Sequence, residues 1–502
     1  MMLLSEAARV LGGKMIGGDV RFTAVSSDTR KLQPGDLFIA LRGENFDGCE
    51  FVAQAAQDGA VAALVEERGA RTEHAGIPLL VVKDTRLALG QLAAHWRRQF
   101  NVSLVAITGS NGKTTVKEML AGVLRAAAGS DDAVLATRGN FNNDIGMPLT
   151  LLQLNAQHRY AVIEMGMNHP GEIDYLARIA CPDVALITNA SGAHLEGLGS
   201  VEAVARAKGE IFAGLNGMTR RTEVFGAGGV PEAHGGGTAI INADDAYAPL
   251  WRSLVGTRPL LEFGLDQQAD VSGQWVAQGA GQHLSVQTPV GRFTAELQVP
   301  GAHNARNALA ATAAAVALNV PLETIVAGLE KFGGVAGRLQ RRVLQGGAVL
   351  IDDTYNANPA SMRAAIAVLA QASGKRVMVM GDMGELGDDA AALHAGIGRE
   401  AKRAGIEKLY ALGELSRNAA REFGEGAQHF GHIDALLSAL EKELDANTTV
   451  LVKGSRFMKM ERVVSHCAGT VKGEERRERG GTDTGSSPSP VTLPPAQTRE
   501  AH

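Results

Sequence analysis

The sequence predicts an α/β protein of three domains. A central, mostly parallel sheet is flanked by a small α/β domain before it and a second α/β unit after it. Three observations carry this. A strand–loop–helix unit occupies 102–124, apolar runs alternate with helical periodicities through the following residues, and a second such alternation begins near residue 331. Alternation of this kind places helices on both faces of a parallel sheet. At 502 residues the chain has room for roughly three domains of ordinary size.

The stretch Val102–Leu124 reads VSLVAITGSNGKTTVKEMLAGVL. Val102–Ile107 is apolar and rich in β-branched residues, the composition of a buried strand. Val116, Met119, Leu120, Val123 and Leu124 then recur at helical spacing. Between them lies the polar loop Thr108-Gly109-Ser110-Asn111-Gly112-Lys113-Thr114-Thr115. Glycines let backbone N–H groups approach a phosphate, and the helix N-terminus favours negative charge. Lys113 suits the terminal phosphates and the Thr114 hydroxyl suits their magnesium, the arrangement of a P-loop-type triphosphate site. Ile107 stands where G-x-x-x-x-G-K-S/T has its first glycine. A surface turn before an ordinary helix is the blander alternative, and the strand–loop–helix context argues against it.

A hydrophobic content of 45 % supplies real cores, and a net charge of −5 gives no reason to expect nucleic-acid binding. Cys49, Cys181 and Cys467 form no C-x-x-C pair, which fits a reducing cytosol without disulfides or zinc. No apolar stretch is long enough to span a bilayer and the start lacks a signal peptide, so a cytoplasmic protein without membrane insertion is expected.

Taken in order, residues 1–83 form the first module, with helix Leu4–Leu11 and strand Leu37–Leu41. Arg30 and Arg42 could hold a diphosphate and Phe46 could stack on a base; a solvated loop with its phenylalanine pinned into the core is equally compatible. Helix Leu87–Phe100 opens the central domain, 84–330, whose further strands are Tyr160–Met165, Val184–Thr188, Thr238–Asn242 and Pro259–Phe263. Ligands in open sheets of this kind bind beyond the strands' carboxyl ends, which singles out Glu164, Asn189 and His194. Glu164 suits magnesium; a histidine does so less well. Loop Thr137–Gly146 is dense in asparagine and suits either a turn or a polar substrate channel. Lys208, on helix Val201–Leu215, reads from pattern alone as a solvated charge. Gly217–Gly237 reads as a glycine-rich flexible insertion. Asn304 and Asn307, three apart at the start of an alanine-rich helix, share one face.

The last unit, 331–464, carries strand Val349–Asp352, the loop Asp353–Pro359, helix Ser361–Gln371 and strands Arg376–Met380, Lys408–Leu412 and Thr449–Val452. Its Gly381-Asp382-Met383-Gly384-Glu385-Leu386-Gly387 has the spacing G-x-x-G-x-x-G, which counts against a dehydrogenase. Beyond Ser465 almost no apolar residues remain, and 465–502 is expected to be a disordered tail.

The motifs TGSNGKTT, YAVIEMG, NASGAHLEG, ARAKGEIF, GAHNARNALAA, Gly337-Arg338, DDTYNANPASM, MGDMGELG and VKGSR occur in the order seen in Mur ligases. The sequence resembles that family from near its start to about Val464, and DDTYNANPASM with GNFNNDIGMPLT resembles the branch that adds a dipeptide. The resemblance implies a Rossmann-like C-terminal domain and an ATP-dependent amide ligase of cell-wall precursor synthesis working through an acyl phosphate. D-alanyl-D-alanine would be joined to UDP-N-acetylmuramoyl-tripeptide by a monomer. It implies ATP contacts from Gly109 to Thr115 and from Asn304, Asn307, Arg338 and Asp352. It also implies two magnesium sites, with Thr114 at one and Glu164, His194 and Lys208 at the other, Lys208 carrying a carbamate. Asp28, Arg30, Phe46, Asn140, Asn142 and Asn143 would face the UDP-substrate, and Tyr355, Asn356 and Asn358 the dipeptide. Competing possibilities are a diaminopimelate- or lysine-adding ligase, folylpolyglutamate synthase, or a nucleotide switch without ligase chemistry.

Overall fold

The computed structural model describes residues 1–43, 46–68, 76–192, 195–215, 237–279 and 281–469. Three mixed sheets follow one another along the chain. In the central one, strand Ser103–Thr108 shows why its sequence is a continuous apolar run. Leu104 and Ala106 enter one core and Val105 and Ile107 another, so both faces are covered by protein. The second face is closed by helix Lys113–Ala128 through Val116, Met119, Leu120 and Val123, together with helices Ala302–Ala317 and Leu322–Glu330. The first face is closed by helices Thr85–Arg97, Glu172–Ala180 and Ala248–Val255 and by apolar residues of the N-terminal module, among them Phe22, Leu37 and Leu64.

The central sheet has nine strands. From one edge they run Val134–Ala136, Tyr160–Glu164, Ser103–Thr108, Val184–Ile187, Thr238–Asn242, Leu260–Gly264 and Val271–Gln278, each parallel to its neighbour. Gly281–Thr288 and Gly291–Leu297 then extend the sheet antiparallel. The chain leaves Ser103–Thr108 for the far edge, returns through Tyr160–Glu164, and crosses to the opposite side with Val184–Ile187. This reversal opens a crevice at the carboxyl end of Ser103–Thr108, where the polar loop sits.

The N-terminal module pairs Lys14–Ile16, Leu79–Val82, Ala62–Glu66, Asp36–Ile39 and Ala24–Ser26 in one five-stranded sheet, and helix Leu4–Leu11 has the bounds expected from its periodicity. The C-terminal sheet runs Gln340–Val343, Val349–Asp353, Thr448–Lys453, Lys375–Gly381, Lys408–Leu412 and Ala427–Phe430, parallel except at the first pair. Among the described residues no helix is long and apolar enough to cross a membrane.

Three expectations change. The antiparallel strands between Val271 and Leu297 were not foreseen. The helix expected over Val201–Leu215 stops at Gly209 and tightens into a 3₁₀ turn over Glu210–Gly214. There the chain presses against its neighbour so closely that a Cβ on Gly214 would lie 2.4 Å from the Ala177 carbonyl oxygen. The last helix continues past 464 to Gly469, because Cys467 extends the spacing Met460, Val463, Val464 and is buried with them. The insertion up to residue 236, and the tail beyond Gly469, lie outside the described residues.

Candidate active site

The polar loop is threaded through gaps that admit no side chain at its glycines. Gly109 has φ +149° and Gly112 φ +83°. A Cβ on Gly109 would lie 1.8 Å from Thr188 Oγ1, and one on Gly112 2.4 Å from Asn307 Oδ1. Gly109→Ala therefore adds both overlap and an unfavourable backbone conformation. It is expected to weaken binding of an ATP analogue by about tenfold or more, read by titration calorimetry.

The loop hangs from the next strand end. Asn111 N–H donates to Asn189 Oδ1 (3.0 Å), Asn189 Nδ2 donates back to the Asn111 carbonyl (3.0 Å), and Thr188 Oγ1 donates to the same carbonyl (2.6 Å). Lys113 begins the helix and folds over the loop, Nζ donating to the Gly109 carbonyl at 2.6 Å. Thr114 Oγ1 donates to Glu164 Oε2 at 2.9 Å and accepts from Arg338 Nη2 at 3.3 Å. The other Glu164 oxygen accepts from Asn142 Nδ2 (2.8 Å), and Glu164 N–H donates to Thr137 Oγ1 (2.9 Å). The asparagine-rich loop and the carboxylate at the strand end are thus one hydrogen-bonded unit.

These groups open on a cavity of about 740 Å³ between the central and C-terminal sheets. Its wall includes Ser110, Asn111, Gly112, Lys113, Thr115, Asn142, Asn143, Glu164, Asn304, Asn307, Arg338, Tyr355, Asn356 and Asn358. Gly109 and Thr114 are buried directly behind that wall. Arg338 stacks on Tyr355, 4.0 Å from the ring centre, and Asn358 Nδ2 donates to Asn111 Oδ1 at 2.9 Å. Residues more than two hundred positions apart therefore meet around the phosphate loop.

Other expected residues lie elsewhere. Asp28 and Arg30 form an exposed pair at 2.8 Å on the N-terminal module, and Phe46 and Asn140 are exposed, all four off the cavity wall. The alternative of Phe46 pinned into a core does not hold, since the residue is 56 % exposed. Asp352 is also off the wall. It is buried and accepts from Thr354 Oγ1 at 2.7 Å, while the next residue, Asp353, faces the cavity. Lys208 is no solvated charge: it is 2 % exposed. His194 lies outside the described residues.

The strand-end residue Lys453 also reaches the wall. It pairs with Asp353 at 2.6 Å and donates to the Asn356 carbonyl at 2.8 Å. His303, whose Nε2 has no hydrogen-bond partner among the described residues, Glu385 and Arg456 are among the further polar residues of the wall that sequence reasoning left without a role. The signal for Lys453 was present, since it follows an apolar strand as Glu164 does.

Burial governs the electrostatics. It lowers the pKa of Lys113, assisted by the Arg338 charge and opposed by Glu164 and Glu385. The Lys208 amine is held well below its usual range by burial first and by the Lys113 charge second. His303 is lowered to about 4 by burial and by the Lys453 and Arg306 charges, so it is neutral at pH 7. Burial raises Asp353 and lowers Lys453, each held back by the other's charge.

Among the described residues no three His, Cys, Asp or Glu side chains cluster as a metal cage. A hydroxyl and one carboxylate at the mouth of a phosphate loop do match magnesium, which keeps waters and takes further oxygens from phosphate. The donor set present fits that ion.

Family models place these features together. The Mur ligase family catalytic domain matches residues 21–97, the Mur ligase middle domain 107–315 and the Mur ligase glutamate ligase domain 337–456. A UDP-N-acetylmuramoyl-tripeptide–D-alanyl-D-alanine ligase from Escherichia coli is 43 % identical over 465 residues, spanning 92 % of this chain and 97 % of that protein. Its Bacillus subtilis counterpart is 35 % identical over 448 residues, spanning 88 % and 92 %. A crystal structure of MurF from Acinetobacter baumannii shares the fold with a TM-score of 0.82 at 37 % identity, covering 92 % of this chain and 98 % of that one. MurF from Thermotoga maritima, solved in complex with ADP, has a TM-score of 0.76 at 24 % identity over 90 % and 98 %, a likeness of fold. With three family domains in sequence and whole-length relatives of this identity, the chain belongs to the Mur ligase family.

Proposed function

We propose that this chain is an ADP-forming ligase that joins D-alanyl-D-alanine to UDP-N-acetylmuramoyl-tripeptide during peptidoglycan precursor synthesis, acting as a cytoplasmic monomer. The observation that carries the reading is the single cavity of about 740 Å³ lined on one side by the phosphate loop and Glu164 and on the other by Arg338, Asp353 and Lys453. An amine does not condense with a carboxylate at pH 7, so the carboxylate must first be activated. Its oxygen bonds the γ-phosphorus of ATP as the β–γ bridge breaks and ADP leaves. The dipeptide's neutral amine then attacks the acyl carbon, and the tetrahedral intermediate expels phosphate as the amine's proton is released. Both steps gather anions, and fixed cations placed where charge develops lower their barriers.

In this reading Lys113 clamps the terminal phosphates. Thr114 would hold one magnesium, and Glu164, His194 and Lys208 a second. Magnesium supplies positive charge that offsets repulsion between carboxylate and triphosphate. Lys208 takes part as a carbamate: its neutral amine adds to carbon dioxide, forming a C–N bond and releasing one proton, which turns a buried cation into an oxygen ligand. Burial, with the Lys113 charge second, favours the neutral form of that amine.

Asn304, Asn307 and Arg338 are assigned to the nucleotide, with Asp353 taking the ribose role first given to Asp352. Asn142 and Asn143 face the reacting end of the UDP-substrate, whose distal part extends to Asn140, Asp28, Arg30 and Phe46. Tyr355, Asn356 and Asn358 adjoin the dipeptide.

An acceptor panel tests the proposal. Phosphate release is expected only when ATP, UDP-N-acetylmuramoyl-tripeptide and D-alanyl-D-alanine are all present, with a pentapeptide product by mass spectrometry. Turnover with free diaminopimelate, lysine or glutamate in place of the dipeptide would overturn it, as would ATP hydrolysis indifferent to both substrates.

A further inference from the structure

The acceptor in this reading is a short zwitterion with two methyl groups. Its amine must reach the acyl carbon beside the phosphate loop, and an extended dipeptide spans only about 7 Å. Its free carboxylate must therefore come to rest within the same cavity, and a desolvated carboxylate requires a cation there.

Most cations on the wall are engaged. Lys113 bonds the phosphate loop, Lys453 is ion-paired with Asp353, Arg86 with Asp144, and Arg306 with Asp244, while Arg338 reaches Thr114 at 3.3 Å, keeps a buried Nε without a partner among the described residues and is assigned above to the nucleotide. Arg456 differs. Its side chain is 66 % exposed, and its ion pair with Glu461 is 3.3 Å long between two exposed groups. Such a pair contributes little and yields readily to a better partner.

Arg456 stands on a rigid platform. Ser455, 2 % exposed, donates its N–H to the Asp382 carbonyl at 2.9 Å. Its hydroxyl accepts from Gly384 N–H at 2.8 Å and donates to the Ala357 carbonyl at 3.2 Å. Three loops, at the carboxyl ends of three adjacent strands, are thereby tied through one side chain. Beside Arg456, the Tyr355 ring lies 5.9 Å from its guanidinium carbon, and Phe457 is 62 % exposed. A cation beside one aromatic ring, with a second exposed on the same cavity wall, fits a carboxylate carried on a small apolar body.

We propose that Arg456 recognises the free carboxylate of the incoming dipeptide, with Tyr355 and Phe457 flanking its methyl groups. The inference rests on the reading that the acceptor is D-alanyl-D-alanine. A planar guanidinium takes a carboxylate through two parallel hydrogen bonds.

The test pairs a variant with a matched substrate: wild type and Arg456→Gln are assayed with D-alanyl-D-alanine and with its C-terminal amide, which lacks the negative charge. Wild type is expected to prefer the acid by roughly 10- to 100-fold in kcat/KM, the worth of a charge-assisted hydrogen bond. Arg456→Gln is expected to lose that preference, through a raised dipeptide KM, while its KM for ATP and its turnover of the amide stay near wild type. Arg456→Lys should retain part of the preference, having charge without the planar fork. An Arg456→Gln enzyme that still prefers the acid as strongly as wild type overturns the proposal. So does one that loses acid and amide turnover by the same factor, since that marks a structural role. Wild type with no dipeptide-dependent turnover would instead remove the underlying reading, and this inference with it.

Discussion

Lys113→Ala is expected to slow ligation about 10²–10³-fold, the effect of losing roughly 3–4 kcal/mol of charge stabilisation at the transferring phosphate. The magnitude follows from position. Lys113 heads the helix whose N–H groups face the cavity, and its ammonium lies over the loop, 2.6 Å from the Gly109 carbonyl. The neighbouring cation Arg338 is stacked on Tyr355 and bonded to Thr114, so it cannot move over to replace it. Steady-state kinetics with saturating substrates should show the loss mainly in kcat. Turnover within a few-fold of wild type would remove the phosphate-clamp assignment.

How much of this was legible in the sequence depended on which physical rule applied. Helix Leu4–Leu11 and strands Thr238–Asn242 and Lys408–Leu412 were readable to the residue because each carries a clear apolar pattern, the helix ending at Gly12 in the left-handed conformation. The antiparallel strands after Val271 were not. In Gly281–Thr288 the buried face is Gln282, Leu284, Val286 and Thr288, so polar residues at both ends dilute the alternation. Gln282 is inside because its amide nitrogen bonds the Val299 and Gly301 carbonyls, a tertiary reason invisible locally.

The site divides in the same way. Glu164 follows from the strand-end rule. Choosing between Asp352 and Asp353 requires knowing which face of Val349–Asp353 meets the central domain, and adjacent strand residues face opposite ways. Lys208 could not be read as buried from its helix, because its burial comes from elements far away in sequence. Cys467, inside the stretch expected to be a disordered tail, continues the spacing of Met460, Val463 and Val464.

Lys208 carries the second large expectation. Lys208→Ala, Lys208→Arg and Lys208→Glu should each lower ligation by about 10²-fold or more, since none can present carbamate oxygens at that distance from the backbone. Arginine keeps the positive charge but cannot be carbamylated, and glutamate keeps the negative charge on a shorter stem. Lys208→Ala is expected to recover part of its activity with formate or acetate, small carboxylates that fit the vacated space. The enclosure that makes room for them is the one that leaves Lys208 2 % exposed and lowers the pKa of its amine. Depleting dissolved carbon dioxide should depress wild-type activity, and bicarbonate should restore it. Rescue by methylamine without rescue by formate would falsify the carbamate and return Lys208 to a cationic role.

The bonds of Ser455 bear on how such an enzyme can be altered. Because one buried hydroxyl fixes the loops after Val349–Asp353, Lys375–Gly381 and Thr448–Lys453, the three behave as a single casting. A substitution that reshapes one of them displaces the other two, and through Asn358 it also disturbs the phosphate loop. Acceptor preference is therefore expected to change in coordinated steps across all three loops, and a library that randomises one loop alone should return mostly inactive clones.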